Sequence, residues 1–409
     1  MNEYRANYNG NYVGKDKYIT NDEVCKILSA IVSVDSTFGR EGDCGRLIEK
    51  IGKEHGLNVE LMPVTEDRFN VMITLGADSY KDQKLGLMLH GHYDTVPVLD
   101  MEDPFVTKIR DNKMWGRGIV DQKSGLVASI CAAIAIKRSG RQLKKPVCVA
   151  AVVDEESEHR GSYALVKSGV DADYALVTEP TNTRTCEFGC KGSTPICITV
   201  KGRTAHSSNP SAGVNAIQKS MPILEGLFAM TFPEVDIDEL GKLQGTLCVS
   251  KMDAGTAYNN VPGEAVIWLD RRTVPGEDAA LALAQVNAVI DQAKEMDPEL
   301  EATAKIARPD WHWQPIIERG LNPTYIDTDS GLFHILQRAA IKSGMEPLEK
   351  GYFNGYNDMD FLVNDLNIPT LVYGPGDMQM AHSAREEVDI DEVCNVTEVY
   401  CNMIEEICM

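Results

Sequence analysis

The sequence lacks the features that would place the protein in a membrane or on a nucleic acid. Its longest mostly apolar stretch, residues 126–136, is too short to span a bilayer and ends in Lys137-Arg138. The first 20 residues are polar and contain no apolar segment of a secretory signal. The formal net charge of -21 disfavours nucleic acid and anionic membrane surfaces, which attract basic proteins. We therefore expect a cytoplasmic protein that binds neither nucleic acid nor membrane.

Paired C-x-x-C spacings are also missing, although the chain contains 11 cysteines. In a chain of this size, that pattern predicts reduced thiols in a cytoplasmic protein rather than a disulfide framework. Cys394, Cys401 and Cys408 are evenly spaced in a helical stretch. The spacing of seven residues places them near one face of the helix and predicts that they fill the core rather than bind a metal.

The length of 409 residues exceeds what one hydrophobic core usually spans, so we expect two domains. In the first part of the chain, apolar runs alternate with helical segments. We predict strands at 85–89, 147–153 and 174–177, and helices at 124–139 and 162–167. This order predicts a mostly parallel sheet with helices on both faces. The functional loops of such a sheet lie at the strand ends.

The pattern changes at about residue 191. The segment 191–310 follows a β-α-β-β-α-β order, which predicts a small α+β open sandwich. The alternation of strands and helices then resumes, with a strand at 370–373 and a closing helix from Asp391. We therefore predict an α/β domain built from residues 1–190 and 311–409, into which the open sandwich is inserted.

Five loops, each at the end of a predicted strand or at a strand–helix junction, carry residue types that bind metals. They are His92 and Asp94 in HGHYDTVP, Asp121 in GRGIVDQKSG, Glu155 and Glu156 in VVDEES, Glu179 in LVTEPT, and His382 in GPGDMQMAHS. Imidazole and carboxylate donors without cysteine suit zinc, cobalt or manganese. Each motif alone is weak, because a histidine after a strand is usually packed and an acidic run is usually solvated. Together they favour a metal site, since carboxylates that converge at one sheet edge repel one another without cations.

These motifs form part of a longer series that also contains KGRTAHSSNPSAGVNAI, NNVP, DRRTVPGE and GPG…AHSAREE. The series resembles the zinc aminoacylase and carboxypeptidase family of acetylornithine deacetylase, succinyl-diaminopimelate desuccinylase and glutamate carboxypeptidase. The resemblance extends from about residue 20 to the end of the chain, with every motif in family order. It implies a dinuclear zinc amidohydrolase whose α/β domain is catalytic. It also implies that residues 191–310 form a lid through which the protein dimerises.

The resemblance further implies a set of site residues. One metal would be held by His92, Asp121 and Glu179, and the other by Asp121, Glu156 and His382. Asp94 would accept the second ring N–H of His92 and so set its tautomer. Glu155 would be the general base for a water held by two divalent metals, zinc by preference and otherwise cobalt or manganese. The peptide after the bridging aspartate is cis in this family, so Asp121–Gln122 is expected to be cis.

Three residues of the inserted domain complete the site that the resemblance implies. His206 in TAHSS would stabilise the tetrahedral oxyanion, in many dimeric members at the site of the other subunit. Asn260 and Arg272 would orient the substrate, Arg272 by pairing with a carboxylate. Strand alternation places Arg271 on the opposite face from Arg272, and motif spacing favours Arg272. Three further histidines match no family motif and are interpreted as structural or exposed: His159, His312 and His334.

Three functions fit these residues. The first is hydrolysis of a small N-acyl amino acid, of the deacetylase or desuccinylase type. The second is a metallo-dipeptidase or carboxypeptidase that releases an amino acid from a small peptide. Glu179 favours the first, because dipeptidases that resemble this family commonly carry aspartate there. The third is an inactive binding protein of the same fold, which is disfavoured because Glu155 and all the implied ligands are present.

Overall fold

The computed structural model of the protein describes residues 12–13 and 18–409. The chain divides into two compact units. The first unit comprises the described residues up to Gly189, together with Tyr325–Tyr352 and Asn357–Met409, and the second comprises Cys190–Thr324 and Phe353–Tyr356. Residues 1–11 and 14–17, which the sequence assigned to the first domain, lie outside the described residues.

The second unit extends further along the chain than the boundary at residue 310 that the sequence suggested. It continues to Thr324. The Ser193 N–H donates to the Leu321 carbonyl at 2.9 Å, which ties this later segment to the first strand of the unit. A hydrogen bond between residues so far apart in sequence leaves no local signal, so composition alone could not place the boundary.

The described residues form 20 strands and nine α-helices. The strands are β1 (Tyr12–Val13), β2 (Ile19–Thr20), β3 (Asn58–Thr65), β4 (Arg68–Leu75), β5 (Leu85–His92), β6 (Lys108–Arg110), β7 (Lys113–Trp115), β8 (Val147–Val152), β9 (Ala172–Val177), β10 (Thr185–Cys190), β11 (Gly192–Lys201), β12 (Glu234–Ile237), β13 (Gly241–Gln244), β14 (Thr246–Ala254), β15 (Glu264–Thr273), β16 (Glu301–Ile306), β17 (Thr324–Tyr325), β18 (Glu349–Phe353), β19 (Thr370–Val372) and β20 (Glu387–Asp389). The helices are α1 (Asn21–Val32), α2 (Gly42–Glu54), α3 (Ser124–Ser139), α4 (Arg160–Ser168), α5 (Ala216–Phe228), α6 (Ala279–Met296), α7 (Gln314–Arg319), α8 (Gly331–Lys342) and α9 (Ile390–Cys408).

The central sheet of the first unit has the strand order β17-β10-β19-β9-β5-β8-β4-β3, with β18 paired to β10. Its four middle strands, β19, β9, β5 and β8, run parallel. The flanking strands β4, β3 and β10 are antiparallel to their neighbours. Strands β5 and β8 are buried along their whole length, as expected for parallel strands covered on both faces. The α/β class with a parallel core is therefore confirmed.

Helix α3 packs in the core of this unit and ends at the bounds predicted from the sequence, before the left-handed Gly140 (φ +69°). Together with the preceding turn, Ile119–Ser139 is long and apolar enough to cross a membrane by length and composition, but its most apolar 18-residue window is entirely buried in the protein. Such burial is typical of a core helix. Helix α9 packs against it and buries Cys394, Cys401 and Cys408, which fill the core as predicted.

The second unit contains an antiparallel sheet in the order β14-β15-β11-β16. Helices α5 and α6 cover it, and their apolar residues form one buried cluster with the inward side chains of the strands. The order β11-α5-β14-β15-α6-β16 is the predicted β-α-β-β-α-β pattern, to which the hairpin β12–β13 is added. Burial alternates along the whole of β15, so its successive side chains point to opposite faces.

Candidate metal centre

Three neighbouring parallel strands bring metal-binding residue types to one edge of the central sheet. Strand β5 ends at His92, and β8 and β9 are each followed within a few residues by the acidic loops that contain Glu156 and Glu179. His92 pairs in register with Val152, the last residue of β8. The carboxyl ends of parallel strands lie side by side. The loops therefore converge although they are far apart in the sequence.

Asp121 lies between the two histidines of this edge. Its Oδ1 is 3.0 Å from His92 Nε2, and its Oδ2 is 3.2 Å from His382 Nε2. The segment Ile119–Lys123 that carries it is irregular, and the Asp121–Gln122 peptide is cis, as the family resemblance implied. The aspartate therefore presents one carboxylate oxygen to each histidine.

The five predicted ligands form two overlapping groups. In each group, the potential ligand atoms lie within 4.8 Å of one another, and the groups are His92, Asp121 and Glu179, and Asp121, Glu156 and His382. Glu179 Oε1 is 3.7 Å from His92 Nε2, and Glu156 Oε1 is 3.0 Å from His382 Nε2. The His382 side chain is 51% exposed and that of Asp121 only 10%, so the cluster opens to solvent at His382.

The charges of this cluster fit divalent cations. Burial raises the pKa of Glu156, and it raises the pKa of Glu179 well above its ordinary value. In both cases the second cause is the neighbouring Asp121 carboxylate. Hydrogen bonds to Asp121 and Glu156 raise the pKa of His382 to about 10. Glu179 Oε2 is buried and has no hydrogen-bond partner among the described residues. Nitrogen and oxygen donors of this kind, including an oxygen without a partner, suit zinc, cobalt or manganese.

Asp94 presents two acceptors to the second ring nitrogen of His92. His92 Nδ1 lies 3.0 Å from the backbone carbonyl oxygen of Asp94, and 3.5 Å from its carboxylate Oδ1. The carboxylate instead accepts the backbone N–H groups of Glu155 and Glu156, at 3.2 and 3.0 Å. The expected contact between the Asp94 carboxylate and the second ring nitrogen of His92 is therefore longer than the contact to the backbone carbonyl. The two amides of the acidic loop hold the carboxylate beside the imidazole.

The acidic loop turns sharply after β8. Asp154 adopts a left-handed conformation (φ +70°), and Glu155 and Glu156 follow it. Burial raises the pKa of the Glu155 carboxyl well above its ordinary value, and the Asp358, Glu179 and Glu156 carboxylates raise it further against the opposing effect of His92. A partly buried carboxyl whose pKa is raised suits a group that takes and returns a proton.

A buried network that the sequence did not predict adjoins Glu155. Potential ligand atoms of Glu155, His159 and Asp358 lie within 4.8 Å of one another. His159 Nδ1 is 3.0 Å from Asp358 Oδ1, and Ser162 Oγ donates to Asp358 Oδ2 at 2.6 Å. His159, which the sequence interpreted as structural or exposed, is buried and lies beside the site. Asp358 follows no recognised motif, so no sequence signal linked it to this edge.

Gln122 also supports the metal centre. Its Nε2 donates to Glu179 Oε1, and its Oε1 accepts from Thr178 Oγ1 at 2.7 Å. This pair of bonds fixes the orientation of the Glu179 carboxylate. Gln122 stands next to Asp121 in the GRGIVDQKSG motif, so the motif itself was the available signal.

The three remaining predicted site residues lie in the second unit. His206 is exposed, its Nδ1 lies 2.8 Å from Ser208 Oγ, and its backbone forms an isolated bridge with Asn260. Arg271 is fully buried, whereas Arg272 on the other face of β15 is partly exposed and donates from Nε to Asp270 Oδ2 at 3.1 Å. The predicted alternation of the two arginines is thus present, and Arg272 is the accessible one.

Comparison with known proteins agrees with the motifs and the geometry. Residues 88–406 match the peptidase family M20/M25/M40. The chain belongs to this family. Membership confirms the resemblance predicted from the motifs, and it makes the protein a hydrolase that acts on amide or peptide bonds.

Several curated relatives match nearly the whole chain at low identity. A [LysW]-lysine/[LysW]-ornithine hydrolase from Sulfurisphaera tokodaii is 26% identical, over 96% of this chain and 98% of its own. A probable succinyl-diaminopimelate desuccinylase from Staphylococcus epidermidis is 23% identical, over 93% and 97%. An acetylornithine deacetylase from Photorhabdus laumondii is 27% identical, over 87% and 88%.

Solved structures of the family share the fold. An M20 family metallo-carboxypeptidase from Sulfolobus solfataricus matches with a TM-score of 0.77 at 17% identity, covering 94% of this chain and 99% of its own. A dinuclear metal-binding peptidase of the M20 family from Bacillus subtilis matches with a TM-score of 0.69 at 14% identity, covering 95% and 98%. At these identities the likeness shows the fold alone.

Proposed function

We propose that the protein is a dinuclear zinc amidohydrolase that cleaves the amide bond of a small N-acyl amino acid. The observation that supports this most strongly is the position of Asp121, which offers one carboxylate oxygen to each of two histidine-containing groups. The names of the relatives add weight to deacylation, since they include an acetylornithine deacetylase and a desuccinylase.

The two overlapping groups would each hold one metal. His92, Asp121 and Glu179 would hold the first, and Asp121, Glu156 and His382 the second, with Asp121 shared. Bound divalent ions would supply Lewis-acid polarisation of the scissile carbonyl and a more acidic water. Zinc is the preferred ion for this donor set, and cobalt or manganese would also fit.

Glu155 would move the proton in this reaction. Its carboxylate would take a proton from the attacking water and pass it to the departing amine nitrogen. Asp94 would hold Glu155 at the site, because its carboxylate accepts the Glu155 backbone N–H at 3.2 Å. In the second unit, His206 would stabilise the oxyanion, and Asn260 and Arg272 would orient the substrate.

Metal stoichiometry tests the proposed centre. We expect about two zinc or cobalt ions per chain after loading, in line with a two-metal site, and loss of activity on chelation. Asp121→Ala should lose both ions, because it removes the ligand that the groups share. Full metal content and turnover in that variant would place the site elsewhere.

A substrate panel tests the reaction. N-acetyl, N-succinyl and N-formyl amino acids should be hydrolysed by the zinc-loaded protein, and dipeptides more slowly. Faster release of amino acids from dipeptides would instead support the peptidase function, which membership of a peptidase family makes the second candidate. A zinc-replete protein without turnover on any member of the panel would support the binding protein.

A further inference from the structure

One buried carboxylate, Glu386, is bonded to the segment that carries Asp121. Its Oε2 accepts from Arg117 Nη1 at 2.9 Å and from the Gly118 N–H at 3.0 Å. Its Oε1 accepts from the Val120 N–H at 3.0 Å and from the Asp121 N–H at 3.3 Å. The side chains of Glu386 and Arg117 are each only 1% exposed, so water does not compete for these bonds. The carboxylate therefore determines where the backbone of Asp121 lies.

The segment is built to surround an anion. Gly118 has a left-handed backbone (φ +76°), and a Cβ atom there would lie 2.2 Å from Thr95 Cγ2, so only glycine fits. The turn at Gly118 directs successive N–H groups towards one point, as in the anion-binding turns of other proteins. In this protein the anion is the side chain of Glu386, which is distant in sequence.

Glu386 also belongs to the segment that carries His382. It lies four residues after that histidine, and its own backbone carbonyl accepts the Gly116 N–H at 3.3 Å. Strand β20 begins at the next residue and pairs with β7. The segments of Asp121 and His382, which contribute to the same ligand group, are thus joined through one side chain and its backbone.

We propose that Glu386 is a positioning residue that sets the separation of Asp121 and His382 and thereby the affinity of the metal they would share. The inference rests on the proposed metal centre. Glutamine at this position would keep one acceptor oxygen for Val120 and Asp121, but its NH2 group would face the donors of Arg117 and Gly118. The two donors would then be left without an acceptor, and the Asp121 segment would shift.

A second buried arginine–glutamate pair provides a matched control. Arg271 in the second unit is fully buried, its Nη2 lies 2.5 Å from Glu277 Oε1, and Glu277 Oε2 accepts the Val274 N–H at 3.1 Å. This pair has the same chemistry as Arg117 and Glu386 but is bonded to none of the proposed ligands. A general loss of stability would be common to variants of both pairs, whereas an effect on the metal would be confined to Glu386.

The test is a zinc titration of the metal-free protein against a chromophoric chelator, with thermal unfolding of the same samples. Wild-type protein should take up two ions. Glu386→Gln should bind the ion of the Asp121, Glu156 and His382 group about 10–100-fold more weakly, the usual effect of losing a group that orients a ligand. The other ion, which shares only Asp121 with this group, should be weakened less. Glu277→Gln should bind both ions as the wild type does, even if its unfolding temperature falls.

Two results would overturn the inference. One is wild-type affinity for both ions in Glu386→Gln, and the other is an equal loss of metal in Glu277→Gln. If Glu386→Gln does not fold, Glu386→Asp, which keeps the charge but shortens the side chain, should show the same selective weakening. Wild-type protein that binds fewer than two ions would refute the proposed centre together with this inference, and that result is visible before any variant is compared.

Discussion

Glu155 and Glu156 are neighbours in the chain, yet their surroundings differ. Glu156 Oε1 is 3.0 Å from His382 Nε2, within one of the ligand groups. Glu155 instead adjoins the His159–Asp358 pair. The left-handed Asp154 before them produces the turn that lets two successive side chains reach the same region, since an extended strand would send them to opposite sides.

This difference predicts separate effects of two substitutions at the residue scale. Glu155→Gln preserves the shape of the side chain, so metal content should stay near normal. Because the amide cannot accept the proton of the attacking water, kcat should fall by about 10²–10⁴-fold. Glu156→Ala should lower metal content. Metal analysis and kcat on both variants decide the roles: loss of metal in Glu155→Gln and its retention in Glu156→Ala would reverse them.

The site residues that the sequence predicted are those within the motifs. His92 ends β5, whereas Asp121 lies just before helix α3 and His382 between β19 and β20. The three come together at one edge of the central sheet. The two amide bonds to the Asp94 carboxylate could not be predicted, because the amides reach Asp94 from another loop. Asp358 could not be predicted either, since it reaches His159 only through the fold.

At the scale of the element, β10 carries a largely buried carboxyl group, that of Glu187. Glu187 lies on this strand opposite Val372 of β19, and its Oε2 is buried without a hydrogen-bond partner in the described structure. Burial raises the pKa of Glu187 to about 7. Between its unfolded value of about 4.3 and this raised value, the folded protein holds a proton that the unfolded chain has lost. The free energy of unfolding should therefore fall as the pH rises through this range.

Glu187→Gln should remove this pH dependence. We expect the variant to be more stable than the wild type by about 1–3 kcal/mol at pH 8, since one pKa unit corresponds to about 1.4 kcal/mol. At a pH of about 3, below the unfolded pKa of about 4.3, the difference should vanish because Glu187 is protonated in both states. Urea unfolding at the two pH values measures the effect. Glu349→Gln, an exposed carboxylate on the neighbouring strand β18, is the control, and an equal gain in it would contradict the assignment to Glu187.

The elements best predicted from the sequence are those with strong and uniform patterns. Helix α3 was predicted at its observed bounds, because a long apolar run ends at a glycine. The antiparallel pair β3 and β4 was not predicted. Strand β3 is only partly buried along most of its length and contains Pro63, so it has neither a continuous apolar run nor a clear alternation.

For the whole molecule, motif order was sufficient to predict the family and the fold class, because every motif falls at a strand end of one known architecture. The bounds of the second unit were harder to predict from the sequence, since hydrogen bonds such as that from Ser193 to Leu321 join distant parts of the chain. Assembly is a further property at this scale. We propose a homodimer formed through the second unit.

Two surfaces of the second unit favour such a dimer. Strand β14 pairs with β15 and with no other strand of the described structure, so it is an edge open to further pairing. Helix α5 exposes Ile217, Met221 and Phe228, which are four and then seven residues apart and so lie on one face. An exposed apolar stripe of this kind marks an interaction surface.

Light scattering of the protein as it elutes from a size-exclusion column should therefore give twice the chain mass at micromolar concentration. Met221→Glu should shift the protein towards the monomer, because a charge would be buried in the interface. Ile341→Glu is the matched control, since Ile341 on α8 of the first unit is 52% exposed and Met221 is 54% exposed. A wild-type monomer with full activity would contradict both the dimer and the action of His206 on a partner subunit. Dissociation by Ile341→Glu and not by Met221→Glu would move the interface to the first unit, because the two substitutions add the same charge at equally exposed positions.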